Sequence, residues 1–132
     1  MSRIAVCAGI AALLAMTLAT AQAQVSDGVV KLGVLNDMSS LYSDATGKGS
    51  LVAAQMAVHD FGGKVLGKPI EVVAADHQNK PDIGANIARQ WYDQEQVDAI
   101  VDVPTSSVAL AVQQISKDKD RVFLMSAPVA RT

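Results

Sequence analysis

Cysteine is almost absent from this 132-residue chain, because Cys7 is the only one. Without a second cysteine the chain can form neither an internal disulfide nor a cysteine-based metal centre. Histidine is also scarce, and His59 and His77 each stand beside one aspartate, Asp60 and Asp76 respectively. A metal centre needs several such ligands converging on one point. The pattern therefore predicts no metal site, and His77 with Asp76 remains an alternative for catalysis.

Excess charge of one sign and catalytic motifs are lacking as well. The chain has 11 basic and 13 acidic residues, a net charge of −2. Such a balance offers no basic surface for nucleic acid, so we predict no nucleic-acid partner. No G-x-S-x-G, H-E-x-x-H or glycine-rich phosphate loop is present, and Gly47–Ser50 (GKGS) resembles only the end of a phosphate loop. These absences disfavour an enzyme.

Long apolar runs are confined to the amino terminus. Arg3 precedes an alanine-rich apolar stretch over Ile4–Ala19, and an A-x-A sequence ends at Ala23. This order predicts a secretory signal peptide over residues 1–23, cleaved after Ala23. An uncleaved membrane anchor is the alternative. Cys7 lies too early in the apolar stretch for a lipid-attachment site, so we expect a soluble, exported, periplasmic protein.

Two hydrophobic periodicities alternate through the rest of the chain. Apolar and β-branched runs predict four strands, at Val29–Leu35, Ile70–Ala75, Ala99–Val103 and Val122–Met125. Helical spacing of apolar residues predicts three helices between the strands. The first covers Ser50–Phe61 and has Leu51, Ala54, Val58 and Phe61 on one face. The second begins at Pro81 and carries Ile83, Ile87 and Trp91, and the third carries Val108, Ala111, Val112 and Ile115. The order βαβαβαβ predicts an α/β fold, an open, mostly parallel sheet flanked by helices.

Small hydroxyl residues gather in the loops that follow the predicted strands. In an open parallel sheet, ligands bind beyond the carboxyl ends of the strands. Three loops of that kind are Asn36–Asp44, Pro104–Ser107 and Ser126–Ala130. They contain few strong acids or bases, which suits hydrogen bonding to a small ligand better than catalysis. Helix capping and ordinary turns remain structural alternatives for these serines and threonines.

The segments VKLGVLNDMSSLYSDATGKGSLVAAQMAVHDFGG, KPIEVVAADHQNKPDIGANIARQW and VDAIVDVPTSSVALAVQQI have a familiar order and spacing. Across 29–132 the chain resembles the amino-terminal lobe of the leucine/isoleucine/valine-binding family, the substrate-binding proteins of ABC transporters. The resemblance implies a type I periplasmic-binding fold, in which two α/β lobes close on a ligand by hinge motion. We therefore expect residues 24–132 to form the amino-terminal part of the first lobe, with the second lobe absent.

The resemblance also implies a set of ligand-binding residues. In the family, hydroxyls and backbone N–H groups at the start of the third helix hold the ligand carboxylate, and Thr105, Ser106 and Ser107 match them here. The loop after the first strand borders the cleft, matched by Ser39, Ser40 and Tyr42. The loop after the fourth strand adds further contacts, matched by Ala127, Val129 and Ala130.

The implied function is that of a periplasmic substrate-binding component of an ABC transporter. Its partners would be a small carboxylate-bearing solute, such as a branched-chain amino acid, and a membrane permease, with no cofactor and no catalytic residue. The segment DVPTSSVALAV resembles the corresponding segment in a branch of this family whose ligands include aromatic acids. Binding of aromatic carboxylates or short amides is therefore an alternative, and an extracellular sensor domain is another.

Overall fold

The computed structural model describes residues 27–126 of the chain. Its elements, in order, are β1 (Val30–Asn36), α1 (Gly47–Asp60), β2 (Lys64–Val65), β3 (Lys68–Asp76), α2 (Pro81–Asp93), β4 (Ala99–Val101), α3 (Ser106–Asp118) and β5 (Val122–Leu124). All seven predicted elements are present. The predicted signal peptide, its cleavage after Ala23, and Ala127, Val129 and Ala130 lie outside the described residues.

The five strands form one sheet in the order β2-β3-β1-β4-β5. The ladders of β1 with β3, β1 with β4, and β4 with β5 are parallel, which confirms the predicted mostly parallel sheet. The unpredicted β2 pairs antiparallel with β3. Leu66 and Gly67 join these two strands with positive φ angles of 50° and 76°, as a tight two-residue hairpin turn requires.

The hydrophobic core lies between one face of the sheet and the helices α2 and α3. Leu35 and Ile100 come from the sheet, and Trp91, Val108 and Val112 come from the helices. Trp91, which the helical spacing puts on the apolar stripe of α2, is only 4% exposed and belongs to this core. The apolar stripes predicted from helical spacing on α2 and α3 therefore face the sheet.

Helix α1 covers the opposite face of the sheet. β3 and β4 flank β1 on its two sides, and right-handed crossovers in opposite directions place the connecting helices on opposite faces. Leu51, Ala54 and Val58 are half-buried as their shared face predicts. The placement of Phe61 on that buried stripe is wrong, because Phe61 follows the last helical residue and is 66% exposed.

Several predicted boundaries differ from the structure by about one to three residues. α1 begins at Gly47 rather than Ser50. β4 ends at Val101 rather than Val103, because Asp102 has a left-handed φ of 57° that interrupts the extended backbone. Between residues 27 and 126 no helix has the length and apolar character needed to cross a membrane.

Candidate functional site

A groove of about 450 Å³ opens at the carboxyl edge of the sheet. It lies where the crossovers from β1 and from β3 run in opposite directions, which is the expected ligand position in an open α/β sheet. Within residues 27–126, seven uncharged residues line it: Tyr42, Thr46, Asn79, Pro104, Thr105, Ser106 and Ser107. They come from the loops after β1, β3 and β4 and from the first turn of α3.

Four of the nine residues predicted for the site are brought together here, namely Tyr42, Thr105, Ser106 and Ser107. Ser39 and Ser40 lie in the loop after β1 but do not line the groove. Sequence reasoning missed Thr46 and Asn79. The signal for Asn79 was available, because the loop after a parallel strand β3 must reach the same edge as the loops after β1 and β4.

The loop after β1 is built around the buried carboxylate of Asp37. Its two oxygens accept hydrogen bonds from the Ser40 N–H at 2.9 Å, the Ser40 hydroxyl at 2.7 Å and the Tyr42 N–H at 2.9 Å. Burial alone would raise the pKa of Asp37, but these donors outweigh it and hold the pKa below its ordinary value. The Ser40 hydroxyl therefore shapes the loop, and Tyr42 is fixed at the rim.

A second carboxylate, Asp76, joins the loops after β1 and β3. It accepts hydrogen bonds from the Met38 N–H at 2.9 Å, the Gln78 N–H at 2.8 Å and the Ser39 hydroxyl. Burial raises the pKa of Asp76, yet the Ser39 hydroxyl and the two N–H groups lower it below its ordinary value overall. The Ser39 hydroxyl is thus directed to protein, as that of Ser40 is.

Asp102 performs a similar role at the end of β4. Its carboxylate accepts the Asn36 side-chain N–H at 2.9 Å and the Ser126 hydroxyl, so it ties the first, fourth and fifth strands together. The Asp102 backbone N–H donates to the Leu124 carbonyl at 3.0 Å. Asp102, the left-handed residue that follows β4, is therefore held by hydrogen bonds of both its backbone and its side chain.

His77 is fully buried behind this edge. Its Nδ1 accepts the Asn79 backbone N–H at 3.0 Å, and its Nε2 has no hydrogen-bond partner among residues 27–126. Burial lowers the pKa of His77, although the negative charges of Asp37 and Asp76 act to raise it. The imidazole is therefore neutral near pH 7. A buried imidazole that does not line the groove is poorly placed as a general base.

The start of α3 forms the polar wall of the groove. Thr105 occupies the position before the helix, and its carbonyl accepts the Ala109 N–H at 2.8 Å. Its side chain makes no capping hydrogen bond, so the capping interpretation is wrong for this hydroxyl. The Thr105 Oγ1 atom is instead buried with no partner in the described part of the chain.

This wall is chemically suited to an anion. The first N–H groups of a helix have no partner inside the helix, and the helix dipole adds partial positive charge there. A carboxylate at this position would receive backbone N–H donors and hydroxyls together. Within residues 27–126, no three His, Cys, Asp or Glu side chains are grouped to hold a metal ion.

A mostly parallel sheet with a hydroxyl-lined groove at its carboxyl edge is the arrangement in which open α/β domains bind small ligands. Residues 29–132 match the family model described as periplasmic binding protein. The chain therefore belongs to the periplasmic binding protein family, whose members serve ABC transporters. None of the curated proteins compared with the chain matches it.

Solved structures agree with this assignment. A branched chain amino acid ABC transporter periplasmic ligand-binding protein from Burkholderia xenovorans is 50% identical, with a TM-score of 0.73 over 76% of this chain and 27% of its own. A periplasmic binding protein from Burkholderia mallei is 49% identical, with the same TM-score and coverage of 76% and 27%. The chain thus spans about 27% of the length of these two relatives.

A more distant structure shares the fold. The solute binding protein of an ABC transporter from Rhodopseudomonas palustris, in complex with 3,4-dihydroxy benzoic acid, is 24% identical with a TM-score of 0.72. The match covers 77% of this chain and 28% of that protein.

Proposed function

We propose that this chain forms part of a periplasmic substrate-binding component of an ABC transporter that takes up a small carboxylate-bearing solute, such as a branched-chain amino acid. The observation that carries the proposal is the buried Thr105 hydroxyl at the amino terminus of α3, which has no hydrogen-bond partner within residues 27–126. A buried polar group without a hydrogen bond is costly. A ligand carboxylate beside Thr105 would supply the missing acceptor once the side chain rotates toward the groove.

The neighbouring groups support the same ligand chemistry. Ser106 and Ser107 begin α3 and line the groove beside Thr105. The seven lining residues within residues 27–126 are uncharged, so none of them would repel a ligand carboxylate. The Burkholderia xenovorans relative, described as a branched chain amino acid transporter component, supports the choice of an aliphatic amino acid.

Aromatic carboxylates are the second candidate ligand, because an aromatic ring lies in the groove. Tyr42 lines it and is 44% exposed. An exposed tyrosine offers a flat apolar surface against which an aromatic ligand can stack. The ligand of the Rhodopseudomonas palustris protein is a substance of this kind.

The partner and location follow from the same function. We infer that residues 1–23 direct export and are removed after Ala23, and that the mature protein delivers its solute to a membrane permease. It releases that solute unchanged. Ser39, Ser40, Ala127, Val129 and Ala130 are proposed to border the ligand once the cleft closes.

A ligand screen by thermal shift tests the proposal on the protein encoded by the complete reading frame that contains this chain. The probes are L-leucine, L-isoleucine, L-valine, benzoate, 4-hydroxybenzoate and short amides. A ligand at about 100 times its dissociation constant stabilises a protein by about 2.7 kcal/mol. A shift with an aliphatic amino acid supports the first candidate and a shift with benzoates supports the second. Absence of any shift would contradict both.

A further inference from the structure

Asn79 is an unexplained polar residue of the groove. It is the lining residue that the loop after β3 contributes. Its side chain is half-buried and makes no hydrogen bond within residues 27–126. The hydroxyls of Ser39, Ser40 and Thr46, by contrast, all donate to protein acceptors. The Asn79 carboxamide is therefore available to a ligand.

The backbone that presents Asn79 is held in an unusual conformation. Gln78 and Asn79 have left-handed φ angles of 52° and 55°. Residues with a β-carbon disfavour this region, although asparagine tolerates it better than most. Two successive left-handed residues persist when surrounding contacts fix them.

Those contacts come from Asp76 and His77. The Gln78 N–H donates to the Asp76 carboxylate at 2.8 Å, and the Asn79 N–H donates to His77 Nδ1 at 3.0 Å. The Lys80 N–H donates to the His77 carbonyl at 2.8 Å. Each N–H of the loop is thus engaged by the two residues that precede it.

The imidazole that accepts the Asn79 N–H is enclosed by protein. His77 is fully buried, and a β-carbon built on Gly84 of α2 would lie 3.6 Å from the His77 Cβ atom. Nδ1 can accept a hydrogen bond only while it carries no proton, which places the proton of the neutral ring on Nε2. The carboxylates of Asp37 and Asp76 are the charged groups that act on the ring.

We propose that Asn79 is a specificity-determining residue and that His77 is the positioning residue that sets it in the groove. The carboxamide would bond the polar group that the ligand carries besides its carboxylate, such as an ammonium or a hydroxyl. The ligand class is therefore a carboxylate with a second hydrogen-bonding group. This inference rests on the proposed function, because it needs the groove to hold the ligand.

The test compares ligands that differ in that second group. The matched pairs are L-leucine with 4-methylpentanoate, and 4-hydroxybenzoate with benzoate. Dissociation constants are measured by calorimetry on the complete reading frame's product and on its Asn79→Gly variant. Glycine accepts the left-handed backbone and removes the carboxamide. We expect the wild type to prefer the polar member of at least one pair, and the variant to lose about tenfold of that preference through weaker binding of that member.

Two His77 variants separate positioning from simple packing. His77→Leu removes the acceptor, whereas His77→Asn keeps an acceptor near the position of Nδ1. Hydrogen exchange of the Asn79 amide, measured by NMR without ligand, should become at least tenfold faster in His77→Leu and stay slow in His77→Asn. The ligand preference should follow the same order. If His77→Leu fails to fold, the His77→Asn and Asn79→Gly proteins still decide the question.

The outcomes distinguish this inference from the function beneath it. Binding by the wild type with an unchanged preference in Asn79→Gly would overturn the role of Asn79 and leave the proposed function standing. No binding of any probe by the wild type would overturn both. Fast exchange of the Asn79 amide in His77→Asn would overturn the role of His77 in either case.

Discussion

The indole of Trp91 lies so close to Gly33 that a β-carbon built on Gly33 would stand 2.4 Å from the indole Cζ3 atom. Trp91 belongs to α2 and Gly33 to the central strand β1. The missing side chain on β1 therefore makes the space that the largest core residue fills. We predict that Gly33→Ala destabilises the protein by about 1–3 kcal/mol through overpacking, measured by urea denaturation.

Gly49 provides the matched control for that substitution. It lies inside α1, and a β-carbon built on it meets nothing within 4 Å. Gly49→Ala should leave the free energy of unfolding unchanged or raise it by about 0.5–1 kcal/mol, because alanine is the better helix former. Equal effects at Gly33 and Gly49 would contradict the close approach of Trp91.

The two tyrosines predict different consequences of losing a hydroxyl. The buried Tyr92 hydroxyl donates to the Val122 carbonyl at 3.0 Å and lies 3.0 Å from the Ser116 Oγ atom. Tyr92→Phe should lower the free energy of unfolding by about 0.5–1.5 kcal/mol, because it removes a hydrogen bond made by a buried hydroxyl. Tyr42→Phe should stay within about 0.5 kcal/mol of wild type, since Tyr42 is an exposed residue whose hydroxyl bonds nothing in the described region. Similar losses in both variants would refute this difference.

Thr105→Val should separate ligand affinity from stability. The buried Thr105 hydroxyl has no partner in the part of the chain that the structure describes, so a methyl group in its place should leave stability unchanged or raise it by about 1 kcal/mol. Affinity for the carboxylate ligand that the screen identifies should fall about tenfold or more. Thr46→Val is the control, because the Thr46 hydroxyl donates to the Tyr42 carbonyl at 3.1 Å and its loss should reduce stability. A stability loss in Thr105→Val would show that its hydroxyl has a structural partner.

Acid should destabilise the protein in two stages. Burial lowers the pKa of His77 below its ordinary value of 6.5. Below pH 6.5 the unfolded chain therefore binds a proton that the folded protein excludes. The free energy of unfolding falls as the pH decreases through this range. Asp37 and Asp76 have pKa values lowered below 3.8 by their hydrogen bonds, so the stability they confer is lost as the pH falls through that region. Urea midpoints between pH 3 and pH 8 measure both stages, and His77→Asn should abolish the upper one. A constant midpoint from pH 7 to pH 5 would contradict the neutral, buried imidazole.

The sequence predicted the main elements because apolar periodicity reports burial directly. Ile70–Ala75 and the stripe with Trp91 are signals of this kind, and both elements exist. The early end of β4 could not be predicted. Asp102 takes a left-handed φ of 57° where its carboxylate is bonded by Asn36, a partner far away in sequence.

The site was predictable only where chemistry and position coincide. Thr105, Ser106 and Ser107 directly follow a strand, and parallel pairing brings them to the groove beside Tyr42. Ser39 and Ser40 carry the same chemistry in the same kind of loop, but their hydroxyls bond Asp76 and Asp37. Which hydroxyls form hydrogen bonds within the protein depends on tertiary contacts that a single sequence does not reveal.

The strand order also determines when the ladders of the central strand β1 can form. β1 is the first strand in sequence yet the central one in space, and Leu32 pairs with both Val72 and Ala99. Such distant pairing must overcome a large loss of chain entropy before any contact compensates for it, so topologies of this kind fold slowly. A growing chain that has not reached Ala99 leaves one edge of β1 open. The central ladder is therefore completed late, and until then the unpaired edge of β1 is open to pairing with another chain.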